Sequence, residues 1–462
     1  MNTHRSRHLR LAPIAAGLAA IFACASAPAN AAIHNVLTCD DDGPGSLRAV
    51  VAALTPQQSG DTINLTGLSC GTISLSTGGI AIALDDLTLI GPGASQLTIE
   101  RAAGMGKQRV FRHEGTGTLN LGYLTVSNGY YGGPAVDQVN GGCIFSQGTV
   151  ALDHARVSGC TASAANLAFG GGVYAGAITL NRSTLSGNTA KVQAGATSAA
   201  RGGGAAASTI EATASSITGN SATGSFASDG GGLASASASI VASTISGNQA
   251  DGHGGGIATE NLCTGLCVPT SAIINNSTVS GNSANITGGF YTRAVTATVR
   301  NSTIAFNTAF AGAGILNGNL QHFAAGLFSY GSPVDIESVL IANNAYGDPA
   351  VDSDLSVYAA PSAVSGANNL IREGNGDAPS GSMHGACPLL GPLRDNGGLT
   401  KTHALLSGSP GIDAGSNISP DLPYDQRLAP NVRDNGFPDI GAYEIQAEII
   451  FASGMDGCTA LP

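Results

Sequence analysis

Between residues 150 and 345, aliphatic and small polar residues return in a fixed frame: an aliphatic residue, two spacers, Asn, one further residue, Ala. The copies are Leu185–Asn188–Ala190, Ile217–Asn220–Ala222, Ile245–Asn248–Ala250, Val279–Asn282–Ala284, Ile304–Asn307–Ala309 and Leu340–Asn343–Ala345. Val157–Cys160–Ala162 keeps the frame with Cys in the Asn place. Each aliphatic residue sits in a β-branched, Ser/Thr-rich run, and most runs close on Gly-Asn, which is the chemistry of a strand followed by a turn. A Gly cluster and then an apolar residue stand upstream: Gly170–Val173, Gly202–Ala205, Gly230–Leu233, Gly254–Ile257 and Gly288–Phe290. One unit therefore reads as Gly-rich corner, strand, variable loop, second strand, Asn corner. Successive Asn residues are 32, 28, 34, 25 and 36 residues apart. Gly and β-branched residues are poor helix formers, and β-solenoids let one loop per turn vary in length.

The pattern predicts an all-β chain: a right-handed, single-stranded parallel β-helix, a pectate-lyase-like solenoid with coils roughly 4.8 Å apart. Equivalent residues then stack in columns. Asn188, Asn220, Asn248, Asn282, Asn307 and Asn343 are expected to form a side-chain amide ladder, and the aliphatic and Ala columns fill the interior. Thr184, Thr244, Thr278 and Thr303, with Ser216 among them, form a Thr column that could offer a flat face to ice or a glycan edge, although ordinary strand propensity also explains it. Solenoid ends need covering. Leu47, Val50, Val51 and Leu54 share one helical face in residues 44–54, after the start signal Pro44-Gly45-Ser46, and predict an amphipathic cap helix. Strand-like runs from Thr62 to Val126 supply the first coils. After about Tyr346 the texture turns irregular and acidic. The expected division is a signal peptide at 1–31, a β-helix at 32–385, a small capping domain at 386–446 and a terminal tail at 447–462.

Composition narrows the setting. Charged residues are 11% of the chain, hydrophobic ones 43%, and there is no Trp. Arg5, Arg7 and Arg10, an apolar run from Leu11 to Ala23 and Ala29-Asn30-Ala31 have the form of an export signal. No later segment is apolar for ~20 residues, so no transmembrane helix is expected. Without the signal, 16 basic residues face 30 acidic ones, a net charge of −14. That balance disfavours nucleic acid, and disfavours polyuronates unless calcium bridges them. Eight cysteines remain in an oxidising compartment. Proximity pairs Cys39 with Cys70, Cys143 with Cys160, Cys263 with Cys267 and Cys387 with Cys458; the Cys263/Cys267 spacing could also hold a metal.

For chemistry, the residue before each Gly cluster defines one outer column: Phe169, Arg201, Asp229, His253 and Thr287. Stacked in register, Arg201, Asp229 and His253 become neighbours, with Asp251 close by. They could supply a base, an acid and an orienting carboxylate to a polysaccharide lyase or hydrolase. They could equally be a salt-bridge ladder, the commoner fate of apposed surface charges. Aromatic residues at 5% argue against a sugar-cleaving groove. Asp425, Asp434 and Asp439 are candidates for calcium, the one cofactor considered, against Asx-turns and pairing with Arg427 and Arg433.

Residues 391–444 carry Asp395-Asn-Gly-Gly-Leu-Thr400, Gly408-Ser-Pro-Gly-Ile-Asp-Ala-Gly415, Asp425-Gln-Arg427 and Asp439-Ile-Gly-Ala-Tyr-Glu444. This segment resembles the choice-of-anchor domain of bacterial secreted β-helix proteins. The repeats resemble those of polymorphic outer-membrane and adhesin-like proteins, and Gly45-Ser-Leu-Arg-Ala-Val50 resembles the element that often opens such chains. The resemblance implies a secreted or cell-surface protein acting without catalysis in adhesion or display. Its partner would be a surface glycan or protein receptor, met through loops such as 260–272 and 318–333.

Overall fold

The computed structural model describes residues 31–446, apart from 194–197, 261–269, 311–312, 317–318, 323, 348–350, 359–363, 375–377, 418–421 and 435. Residues 1–30 of the expected signal, Cys263, Cys267, Cys458 and the tail from 447 lie outside the described residues.

One coil shows how the sequence makes its turn. The strand Val173–Asn181 ends where Arg182 takes a left-handed conformation (φ 47°). A short strand, Thr184–Ser186, then stops at Gly187 (φ 63°), and Thr189–Val192 completes the third side. The next coil repeats this at Ala205–Thr213, Ser216–Thr218 and Ser221–Thr223. Coils pair in parallel, with Val173 on Ala205, Leu185 on Ile217 and Ala190 on Ala222. Stacking of this kind gives sheets of nineteen, twelve and nine strands around one axis. The fold is a parallel β-helix.

Side-chain alternation fills its interior. Leu185, Ile217, Ile245, Val279 and Ile304 are all fully buried in one continuous core, each worth ~2 kcal/mol relative to exposure. The Asn ladder runs beside them. In every rung the Asn Nδ2 donates to the next Asn Oδ1, at 2.9 Å for Asn188 to Asn220, Asn220 to Asn248, Asn248 to Asn282 and Asn282 to Asn307. The backbone N–H of each also donates to that oxygen. The top rung is Cys160, whose N–H donates to Asn188 Oδ1 at 3.1 Å and whose sulfur is bonded to Cys143. A second disulfide joins Cys39 and Cys70. Cys387 is also disulfide-bonded.

The last rung is Asn344, not Asn343. Ile304 pairs with Ile341 rather than Leu340, and Asn307 Nδ2 donates to Asn344 Oδ1 at 2.8 Å. The segment Leu340-Ile-Ala-Asn-Asn344 offers two frames one residue apart, and such a slip exchanges the faces of the strand. Leu340 turns outward into an apolar cluster with Leu390, Leu405 and Ile440, while Ile341 enters the core. Asn343 sits in the turn at φ 58° and accepts from Arg372 Nη1 at 2.8 Å. Asp354 closes the ladder, taking Asn344 N and Nδ2 on Oδ1 (3.0 and 2.7 Å) and Glu373 N on Oδ2. Burial pushes the Asp354 carboxyl up to about 7.

A second ladder, of serines, lines another corner. Ser183, Ser215 and Ser243 each donate a backbone N–H to the next hydroxyl, of Ser215, Ser243 and Ser277, and Ser277 does so to Ser302. At the start of the chain, helix Leu47–Ala53 is capped by Ser46, whose Oγ accepts Ala49 N at 3.2 Å, and it buries Leu47 and Val51. The described residues between 386 and 446 lie along the flank of the twelve-stranded sheet. Thr244 Oγ1 donates to Lys401 O, Thr278 Oγ1 donates to Gln426 Oε1, and Thr303 Oγ1 accepts Ala442 N. These three hydroxyls are buried, so the Thr column is not an open face for ice or glycan over that stretch.

Candidate functional site

The Gly corners set the site. Gly170, Gly202, Gly230 and Gly254 all have φ between 62° and 67°. A Cβ at Gly202 would lie 2.1 Å from Ala205 O, so only glycine turns the chain this tightly. The residue ahead of each corner is thereby held on one outer rim. Phe169 pairs with Arg201, Arg201 with Asp229 and His253 with Thr287. The structure thus brings Arg201, Asp229 and His253 together. Asp229 Oδ1 accepts His253 N at 2.8 Å and lies 3.1 Å from His253 Nδ1, while Arg201 Nη2 is 3.9 Å from Asp229 Oδ2. Asp251 does not join them; its carboxylate accepts Gly224 N at 2.7 Å and closes the neighbouring loop.

Two features were missing from the expected constellation. Glu260, at the end of strand Ile257–Glu260, puts Oε2 3.0 Å from Arg201 Nη1, so one guanidinium serves two largely buried carboxylates. The second is the floor. Tyr174, Ala206, Ala234, Ala258, Tyr291 and Phe328 stack rung by rung on the outer face. Three consecutive alanines leave a depression between two tyrosines that stand four rungs, or roughly 19 Å, apart. The cavity above this floor has a volume of about 380 Å³ and takes Phe169, Tyr174, Arg201, Asp229 and Glu260 as walls. The offset of this column from the Gly corners is legible in the sequence, because the fourth residue after Gly170 is Tyr and after Gly202, Gly230 and Gly254 is Ala.

Aromatic rings extend from both ends of the floor. Tyr174 stacks on Phe145 (centroids 5.9 Å apart), and beyond it Arg109 covers the Tyr131 ring at 3.5 Å. At the other end His253 stacks on Tyr291 at 4.4 Å, and Tyr291 stacks on Phe328 at 5.9 Å. Burial, with Glu260 adding to it, holds the Tyr291 hydroxyl well above the usual phenol range, so it stays a neutral donor. Aromatic residues are few in this chain, but the outer face concentrates them at the groove. Two polar atoms there lack an aligned hydrogen bond although buried: Glu260 Oε2 and Ser235 Oγ.

The calcium candidates are engaged elsewhere. Asp425 accepts Arg427 N, Nε and Nη2 and Glu444 N. Asp439 accepts Asp413 N and Ile445 N, and Asp434 accepts Gly436 N. Arg433, fully buried, donates to Gly441 O, Asp439 O and Asn301 Oδ1. Among the described residues, no three His, Cys, Asp or Glu side chains converge as a metal cage. No helix among them is long and apolar enough to cross a membrane.

No protein-family model matches the chain, and no curated protein sequence matches it. Among solved structures, it is similar to the A-module of a mannuronan C-5 epimerase from Azotobacter vinelandii, at 13% identity and a TM-score of 0.45 over 76% of this chain and 99% of that one. It is also similar to pectate lyase Pel9A, at 13% identity and a TM-score of 0.41 over 89% and 96%. Likenesses this distant do not bear on what the chain does.

Proposed function

We propose that this protein is an exported, glycan-binding β-helix that holds a short stretch of polysaccharide in the alanine-floored groove between Tyr174 and Tyr291. One observation carries the reading: an aromatic column interrupted by three alanines directly beside a wall of ionised side chains. Sugar rings present apolar C–H faces and equatorial hydroxyls. They are held by aromatic surfaces with a few convergent polar groups, and the cavity offers Phe169 and Tyr174 with Arg201, Asp229 and Glu260. The resemblance of residues 391–444 to a choice-of-anchor domain favours display at the cell surface, with binding rather than turnover as the role.

A second reading is hydrolysis, favoured by the two carboxylates on one guanidinium. It would need one of Asp229 and Glu260 to protonate a leaving group while the other attacks or activates water. Asp229 is fastened by His253 and Arg201, which suits a fixed wall better than a proton donor. Calorimetric titration of the purified chain (residues 32–462) with an oligosaccharide panel, with and without calcium, tests both readings. Binding without released reducing ends or unsaturated uronates is expected, and Ala234→Trp, which fills the floor, should weaken it at least about tenfold. Cleavage abolished by Asp229→Ala or Glu260→Gln would replace binding by catalysis. Binding untouched by Ala234→Trp would move the site off this face.

A further inference from the structure

We infer that the groove takes amino sugars in preference to neutral sugars, and rejects uronates. This rests on the glycan-binding reading above and adds the charge class of the ligand. The charged side chains lining the cavity are Arg201, Asp229 and Glu260, a net charge of minus one, with the only cation already shared between the two acids. His253 lies beyond Asp229, its Nδ1 directed at the same carboxylate and its ring stacked on Tyr291. Arg293, one rung past Glu260, has its guanidinium 5.6 Å from the centre of the Tyr330 ring. Among the described residues, no cation other than Arg201 lines the cavity to receive a ligand carboxylate.

The polar atoms left over point the same way. Glu260 is about nine-tenths buried, yet its Oε2 makes only the ion-pair contact with Arg201 and no aligned hydrogen bond. An ionised carboxylate only accepts, so the group that completes it must donate. Ser235, also lining the cavity, has an unpartnered Oγ that can do either. A sugar hydroxyl satisfies this arrangement; an ammonium satisfies it and also offsets the excess charge. A uronate would bring an acceptor and a third negative charge against two buried ones. The whole chain, at −11, draws cations in the same sense.

The test is titration of the purified chain with oligomers of glucosamine, of glucose and of galacturonate at pH 6 and low salt. Glucosamine oligomers should bind at least about tenfold more tightly than glucose oligomers, and galacturonate oligomers should not bind measurably. Glu260→Gln keeps the shape and an acceptor oxygen. It should remove most of the amino-sugar advantage over glucose oligomers. Equal or tighter binding of galacturonate, or an advantage indifferent to Glu260→Gln, overturns the charge inference and leaves the groove standing. If no class binds, the groove reading falls, and this inference with it.

Discussion

The groove face of the nineteen-stranded sheet and the flank of the twelve-stranded sheet are built by the same rule and finished differently. Both are outer faces of stacked rungs, with one column per residue position. On the flank, Thr244, Thr278, Ser280 and Thr303 each have a partner supplied by residues 401–442. Apolar Leu340 and Leu370 meet Leu390, Leu405 and Ile440 there. On the groove face, Ala206, Ala234 and Ala258 line the cavity, and the buried polar atoms Glu260 Oε2 and Ser235 Oγ lack aligned partners. Native proteins rarely leave buried polar groups unsatisfied. The flank has such atoms too, at Asn276 Oδ1, Ser416 Oγ and Arg433 Nε, so what sets the groove face apart is its cavity beside stacked aromatic rings and the Arg201 ion pairs.

The largest effect that would break this contrast lies on the flank. Arg433→Met removes a fully buried guanidinium bonded to Gly441 O, Asp439 O and Asn301 Oδ1 and leaves Asp425, Asp439 and Glu444 without its compensation. Loss of one partner from a buried ionic network costs ~3–5 kcal/mol, and denaturant unfolding should register it. An unchanged midpoint would mean that residues 386–446 do not dock as described. Next comes the ladder. Asn344→Ala strips a rung bonded to Asn307, Ile304 O and Asp354 and should cost ~2–3 kcal/mol. Asn343→Ala loses the bond from Arg372 Nη1 and puts Ala at φ 58°, and should cost less than Asn344→Ala, ~1 kcal/mol. Reversal of that order would restore the frame read from Leu340.

The pH dependence of stability is a further, smaller effect. His403, buried at the flank, donates Nδ1–H to Gly391 O and accepts from Ser280 Oγ; burial lowers it to about 4. The unfolded chain then binds the proton more readily, so this group's contribution to stability is lost as pH falls from about 6.5 towards 4. Asp354, raised to about 7 chiefly by burial, acts in the opposite direction. Its folded form holds the proton more tightly, so its contribution is lost as pH rises from about 4 to 7. The two partly cancel in the wild type. His403→Gln should expose a decline in unfolding midpoint from pH 4 to 7, and Asp354→Asn should expose a rise over the same window. Parallel profiles for both variants would show that neither group is held as described. Ala234→Trp, at a buried position on the outer face of the rungs, should cost ~1–3 kcal/mol in stability as well as weaken groove binding at least about tenfold.

Much of this architecture was legible because a solenoid repeats its instructions. The frame around Ile217, Ile245 and Val279 places Asn220, Asn248 and Asn282 without further information, and the residue ahead of each Gly corner places Arg201, Asp229 and His253. Local pattern failed where a distant segment decided the outcome. At Leu340-Ile341 two frames were equally apolar, and Leu390, Leu405 and Ile440 select between them. Glu260 was hidden because it lies outside the repeated frame and meets Arg201 only through the register of strands two coils apart. The aromatic face was hidden by composition, since a low overall share says nothing about how closely Tyr174, Phe145, Tyr291 and Phe328 gather.

The most direct measurement is a crystal structure of the full chain grown with a bound glucosamine oligosaccharide. The account predicts sugar rings lying over Ala206, Ala234 and Ala258, bounded by Tyr174 and Tyr291, with an amine or hydroxyl within hydrogen-bond reach of Glu260 Oε2. Sugar found along another face, with the alanine floor empty, would contradict it.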